Sequence, residues 1–341
     1  MTPFLIMTPF LPFLILICSV LPFLGQAADA AVHVDLKGTT MGTRYAVTYV
    51  DADDSRCAAV RAEIAALFIE VENELSNWNA QSWVSRFNRH KSLDTVAVPA
   101  HAAVVLEAAL QIAEKSSGAL DPTVSPLIEL WGFGAEQDWA GPPLAFEIEQ
   151  TLERCGYRNL EFDTAQRLLG KQVPDLHLNL SAVAKGYVVD QVAAVLADQG
   201  IEDYLINIGG EVRASGKRAD GHSWKVRIAV PQSSEVVSAP LVILGDGAIA
   251  TSGNTQRFFE YQGRRYAHLI DPRSGYPVDN RLHSVSVRAQ TCAQADAWAT
   301  ACSVLGREAG MAFIESLDGV EALFWTVNAT GHLVSEPSSA W

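Results

Sequence analysis

From Tyr204 onward the chain reads as one short strand after another. "YLINIGG", "WKVRIAV", "GAIATSG", "RRYAHLI" and "HSVSVRA" follow in order, with no helical period between them. Parallel neighbours need a crossover of a dozen residues or more, usually a helix, whereas antiparallel ones need only a turn. A mostly antiparallel sheet is therefore expected. Most helical patterns lie upstream, and helices early with successive strands late favour an α+β domain over alternating βαβ units.

In "SRCAAVRAEIAALFIEVENELSNW", Val60, Ile64, Leu67, Val71 and Leu75 recur at spacings of three and four, the period of an amphipathic helix. "HAAVVLEAALQIAEKSSG" reads as a second helix ending at Gly118. "SAVAKGYVVDQVAAVLADQG" reads as a third, capped by Ser181 or Asn179 and stopped at Gly200. "CAQADAWATACSVLG" gives a fourth helix, followed by "ALFWTV" as a late strand, while "YAVTYV" alternates like an early one. "ELWGFGAEQDWAGPP" is a Gly/Pro/Trp loop, either a cover over a site or an insertion. With 341 residues, 49% of them hydrophobic, the chain has material for one large domain or two moderate ones around a sizeable core.

Residues 1–30 stand apart. No charge falls between Pro3 and Gly25, and Ala28-Asp29-Ala30 offers a small-x-small cleavage pattern. This reads as a secretory signal peptide, with 31–341 as the mature domain. The run is also long enough to span a bilayer, which makes an uncleaved inner-membrane anchor the other reading. Either way the protein is expected outside the cytoplasm, in the periplasm. The net charge of −14 argues against general nucleic-acid binding, because phosphate backbones need clustered Lys and Arg. The five cysteines show no C-x-x-C spacing, which excludes a zinc ribbon or a dense disulfide scaffold. Cys57, Cys155, Cys292 and Cys302 are expected as buried free thiols, a Cys292–Cys302 bridge being the alternative in an exported protein.

Several short motifs carry possible chemistry, each with a plain structural reading beside it. "SAVAKG" opens a helix whose free N–H groups and dipole attract anions, and Lys185 adds a charge one turn in. On local evidence alone it reads better as an ordinary capped helix with a solvated lysine. Gly209-Gly210 in "INIGGEV" lets backbone approach a ligand, or makes a sharp turn. Ser252 and Gly253 in "ATSGN" could contact a phosphate or simply end a strand. In "ADAWAT", Asp296 and Thr300 lie at i and i+4, so they share one helix face, and both are hard oxygen ligands suited to Mg²⁺. Against that, Thr300 could bond back to a helical carbonyl while Asp296 faces solvent. "GTTMGTRY" and "SGALDPTVSPL" are glycine-bounded turns that carry Met41 and Asp121. "YAHLIDPRSGYPV" is a turn by composition, with Pro272 fixing φ and Gly275 taking the positive-φ position. The turn follows His268 and includes Arg273. The other seven histidines show no metal-ligand spacing.

Taken together and in order, M-G-T, "LSNWNAQSWVSRFN", A-L-D-P-T-V, "LNLSAVAKGYVVD", "INIGGEV", "ATSGN", "HLIDPRSGYPV" and "ADAWATA" resemble the ApbE family of FAD:protein FMN transferases. The resemblance covers nearly the whole mature chain. It implies a single large T-fold-like α+β domain and an exported, Mg²⁺-dependent enzyme. Such an enzyme splits FAD and attaches FMN to a Thr or Ser hydroxyl of a target protein, releasing AMP. The implied targets are subunits of membrane redox complexes with a Ser/Thr-Gly-Ala-Thr-type motif. By position, Met41, Trp78, Asp121, Lys185, His268 and Ile270 would line the FAD site. Asp296, Thr300 and the Ala182 backbone oxygen would bind the metal, and His268 would act on the incoming hydroxyl. The chain departs from the family pattern at Trp78, where tyrosine is common, and at Asn179 and Asn254, where aspartate is usual. The last two remove negative charge and bear on the number of metal ions. An FAD pyrophosphatase and a flavin carrier without turnover are the competing functions.

Overall fold

The late strands do pair antiparallel, and they join two early strands in a sheet whose spatial order is also chain order. Its eight strands are Val32–Thr40, Thr43–Asp51, Tyr204–Ile208, Glu211–Ser215, Gly247–Gly253, Leu282–Ala289, Glu321–Val327 and Leu333–Pro337. Every neighbouring pair in it is antiparallel. The structure is a computed structural model that describes residues 31–134, 141–230, 238–253, 258–279 and 281–341. The leader, part of the Trp-rich loop and Asn254 lie outside the described residues. Ala31–Trp341 forms one compact unit.

Seven helices accompany the sheet among the described residues: α1 (Cys57–Leu75), α2 (Trp83–Arg89), α3 (Ala100–Lys115), α4 (Ser125–Leu130), α5 (Ala145–Leu152), α6 (Ser181–Asp198) and α7 (Cys292–Glu315). The period-two alternation of the strands decides which faces they cover. Ile206 and Ile208 join the large core with α1, α3, α6 and α7, whereas Leu205, the residue before Ile206, packs on the opposite face. That face is covered by the Trp224–Arg227 and Leu241–Leu244 hairpin, which lays Trp224 and Leu244 against Val212, Ile249 and Trp325.

The structure refines several sequence expectations. "WKVRIAV" is a strand only over Trp224–Arg227, and it belongs to this small hairpin rather than to the main sheet. "RRYAHLI" stops as a strand at Ala267 and pairs with Phe258–Tyr261 in a separate hairpin. α7 breaks at Gly306, as expected, but a second helical stretch continues to Glu315. The four cysteines among the described residues are free, Cys57 half-buried and the other three buried, so the Cys292–Cys302 bridge is not formed.

The contact that matters most for the site is between α6 and α7. A Cβ at Gly186 would collide with the Cys292 carbonyl and stand 2.8 Å from Ala293 Cα. Glycine at this position therefore lets the two helices touch backbone to backbone. The contact is fastened by Asp190, whose carboxylate accepts the Cys292 and Ala293 N–H groups, each at 2.9 Å, and pairs with Arg213 at 2.5 Å. Gly186→Ala should lower stability by about 1–3 kcal/mol or more, the cost of overpacking a close contact. An unchanged denaturant midpoint would show that the helices can move apart freely.

Candidate active site

Two tight turns meet at one end of the sheet. Thr40 and Thr43 close a two-residue hairpin in which Met41 (φ 49°) and Gly42 (φ 72°) both take left-handed conformations, the geometry that suits strand twist. Ile208 and Glu211 close a second hairpin over Gly209 and Gly210. The Gly209 N–H donates to the Arg44 carbonyl at 3.0 Å, joining the turns. A cavity of about 780 Å³ opens over them, lined by Thr39, Thr43, Arg44, Asn207 and Gly209. The antiparallel register brings Ser252 and Gly253 to the same end.

α6 also starts here. Its N-cap, Leu180, offers no side-chain bond, and Asn179 supplies one instead by accepting the Ser181 N–H at 3.0 Å. The Asn179 N–H donates to the Pro122 carbonyl at 2.6 Å, tying the Asp121 loop to the helix entry. One turn in, Lys185 donates to Glu211, which is only 2% exposed. Asp296 of α7 is 6% exposed and accepts the Gly186 N–H at 3.0 Å. The solvated lysine and the solvent-facing aspartate of the plain reading are therefore replaced by a charge cluster in which both carboxylates are buried and the lysine is half-buried. α6 and α7 run antiparallel, with Asp190 at Cys292 and Gly186 at Asp296. That register puts Ala182, one turn earlier on α6, opposite Thr300, one turn later on α7.

Burial pushes the Asp296 carboxyl up from 3.8 to about 7, with Lys185 opposing the rise and Glu211 adding to it. Burial works against the charge of Lys185, but Asp296 and Glu211 outweigh it and hold the amine above its ordinary range. The sign for stability follows directly. A carboxyl raised in the folded state keeps its proton where the unfolded chain has released it, so its contribution is full below pH 3.8 and is lost as pH climbs through about 7. The gap between 3.8 and about 7 is worth roughly 4 kcal/mol at most. In EDTA, Asp296→Asn should therefore melt above the wild type at pH 8, and the difference should shrink at pH 5. The same difference at both pH values would mean that the carboxyl titrates normally.

The other expected site residues fall around this end or beside it. Trp78 is 70% exposed, an indole presented to solvent. Asp121 is buried and already engaged: Oδ1 accepts from the Thr123 N–H at 2.8 Å and its hydroxyl at 2.6 Å, and Oδ2 from the Tyr157 N–H at 2.9 Å. His268 follows the Arg264–Ala267 strand, half-buried, with its ring centroid 6.3 Å from Phe133. The Ile270 side chain is buried and packs in one cluster with Leu127, Trp131 and Ile148. Arg273 is held by Asp271 through two bonds of 2.8 Å, so it braces the turn. Trp131 donates to the Gly275 carbonyl at 2.8 Å and anchors the same turn from below.

Sequence reasoning did not single out Glu211 or Asp190. Glu211 directly follows the Gly-Gly pair, but nothing local marks it as the partner of a lysine 26 residues away.

The fold has close counterparts. The ApbE family model matches residues 41–324. An FAD:protein FMN transferase from Vibrio cholerae serotype O1 is 39% identical over 297 residues, covering 86% of this chain and 87% of the relative. A Haemophilus influenzae protein of the same name is 33% identical, covering 90% of each. The solved flavin transferase ApbE from Vibrio cholerae superposes with a TM-score of 0.83 at 36% identity, covering 91% of this chain and 98% of that one. The apo flavinyl transferase ApbE from Pseudomonas stutzeri also gives 0.83, at 33% identity, with 91% and 96% covered. The matches run from the Met41 turn through the α6–α7 junction to the late strands, and the chain belongs to the ApbE family.

Proposed function

We propose that the chain transfers FMN from FAD to a Thr or Ser hydroxyl of a protein and releases AMP. The observation that carries this reading is the half-buried Lys185 set among the buried carboxylates of Glu211 and Asp296 where α6 meets α7, in a chain of this family. The acceptor oxygen attacks the phosphorus on the FMN side of the pyrophosphate. The bond from that phosphorus to the bridging oxygen breaks, and AMP leaves with the bridging oxygen. His268 takes the hydroxyl proton, the work of a positioned imidazole. Lys185 and the start of α6 offer positive potential to the phosphates. Met41, Trp78 and the backbone around Asp121 border the FAD.

The charge balance of the cluster fits a divalent cation. Asp296 and Glu211 set two buried carboxylates against one ammonium, and Glu211 Oε2 is buried without a hydrogen-bond partner. Among the described residues no three His, Cys, Asp or Glu are grouped to hold a metal. A cation here would draw on Asp296, Thr300, the Ala182 carbonyl and substrate oxygens, a donor set that suits Mg²⁺. Bound there, Mg²⁺ supplies charge neutralisation for the pyrophosphate and the departing AMP.

Incubation with FAD, Mg²⁺ and a peptide carrying a Ser/Thr-Gly-Ala-Thr-type motif tests the reaction. Transfer gives a flavinylated peptide and AMP. Free FMN with AMP would point to a pyrophosphatase, and unchanged FAD to a carrier. Subunits of membrane redox complexes are the proposed targets, met in the periplasm after export through the 1–30 leader. N-terminal sequencing of the exported protein should begin near Ala31. A chain that keeps its leader and stays with the membrane fraction would make the leader an anchor.

A further inference from the structure

Two carboxylates compete for one ammonium in this cluster, and the geometry shows which one has it. Lys185 forms its ion pair with Glu211 Oε1. Asp296 accepts the N–H of Gly186, the residue next to Lys185, at 3.0 Å, but among the described residues no ion pair within 4.0 Å joins it to the amine. Glu211 reaches the amine because the Gly209-Gly210 turn sets it at the very start of its strand. A Cβ at Gly209 would stand 3.3 Å from Glu211 Oε2 and 2.8 Å from Thr43 Cγ2, so glycine leaves room for the carboxylate. Oε2 itself is buried and unpartnered. A carboxylate kept there against the cost of desolvation is not explained by packing.

The geometry points to Glu211 as a positioning residue that draws Lys185 away from Asp296 and so leaves the Asp296 carboxylate free to take a divalent cation. Without this diversion the ammonium would turn to the next carboxylate in reach and neutralise it. This inference rests on the cation reading given above. It also separates two roles that charge alone would merge. A merely electrostatic Glu211 needs only its negative charge. A positioning Glu211 needs its length as well.

Glu211→Asp keeps the charge and loses one methylene of reach. Mn²⁺ titration by electron paramagnetic resonance, without FAD, reads the outcome independently of catalysis. The expected result is affinity about tenfold weaker in Glu211→Asp than in the wild type. Lys185→Met should strengthen binding little in the wild-type background and restore most of the loss in the Glu211→Asp background, a non-additive cycle. Glu211→Gln, nearly isosteric, repeats the cycle if the shorter side chain disturbs the fold. Wild-type affinity in Glu211→Asp, or equal effects of Lys185→Met in both backgrounds, would overturn the positioning role. A wild-type protein that binds no Mn²⁺ would remove the cation reading itself, and this role with it.

Discussion

Asp296→Asn is expected to abolish FMN transfer while leaving the fold intact. The side chain keeps its shape, and an amide oxygen can still accept the Gly186 N–H that Asp296 Oδ2 now takes. The negative charge is lost, and with it the strongest oxygen donor of the proposed cation site at the α6–α7 junction. The loss should be on the order of 10²–10³-fold or greater, the effect of removing one preorganised electrostatic group. EDTA should reproduce it in the wild type. Since burying the ionised carboxyl is costly, the inactive variant should also be the more stable one at pH 8, a combination expected where function and stability compete. Transfer measured by peptide mass, beside a thermal melt, checks both halves. A fully active Asp296→Asn protein would mean that α7 carries no part of the chemistry.

His268→Ala should keep FAD binding and lose about 10²–10⁴ in the transfer step, the contribution of a positioned acid–base group. The Asp271–Arg273 brace and the Trp131 bond to Gly275 do not involve the imidazole, so the turn should survive the change. Flavin fluorescence gives binding, and single-turnover transfer at saturating FAD gives the rate. An unchanged rate would return His268 to a packing role beside Phe133.

What could be read from the sequence was local. The spacing of Val60, Ile64, Leu67, Val71 and Leu75 marked α1, and all five are buried in the core. Met41-Gly42 marked a turn, and it is one. Asp296 and Thr300 were placed on one helix face by spacing alone. The missing parts depend on contacts between distant segments. Gly186 read as part of an anion-binding helix start, yet its lack of a side chain serves the approach of α7, more than a hundred residues on. Glu211 looked like an ordinary strand residue because its partner lies across the turn on α6. Asp121 was conspicuous as a carboxylate, but its oxygens are taken by the Thr123 and Tyr157 N–H groups. Ile270 belongs to a motif whose buried side packs under the turn with Leu127, Trp131 and Ile148. The small sheet of Val96–Ala97, Leu160–Asp163 and Leu168–Lys171 was missed because two- to four-residue strands carry too few alternations to show a period.

The cation proposed between α6 and α7 is the centre of this account, and anomalous diffraction from crystals soaked with Mn²⁺ and FAD tests it most directly. A peak about 2.1 Å from an Asp296 carboxylate oxygen, the Thr300 hydroxyl and the Ala182 carbonyl, with the flavin pyrophosphate beside it, is the predicted result. A peak elsewhere, or FAD bound with no peak at the junction, would contradict it.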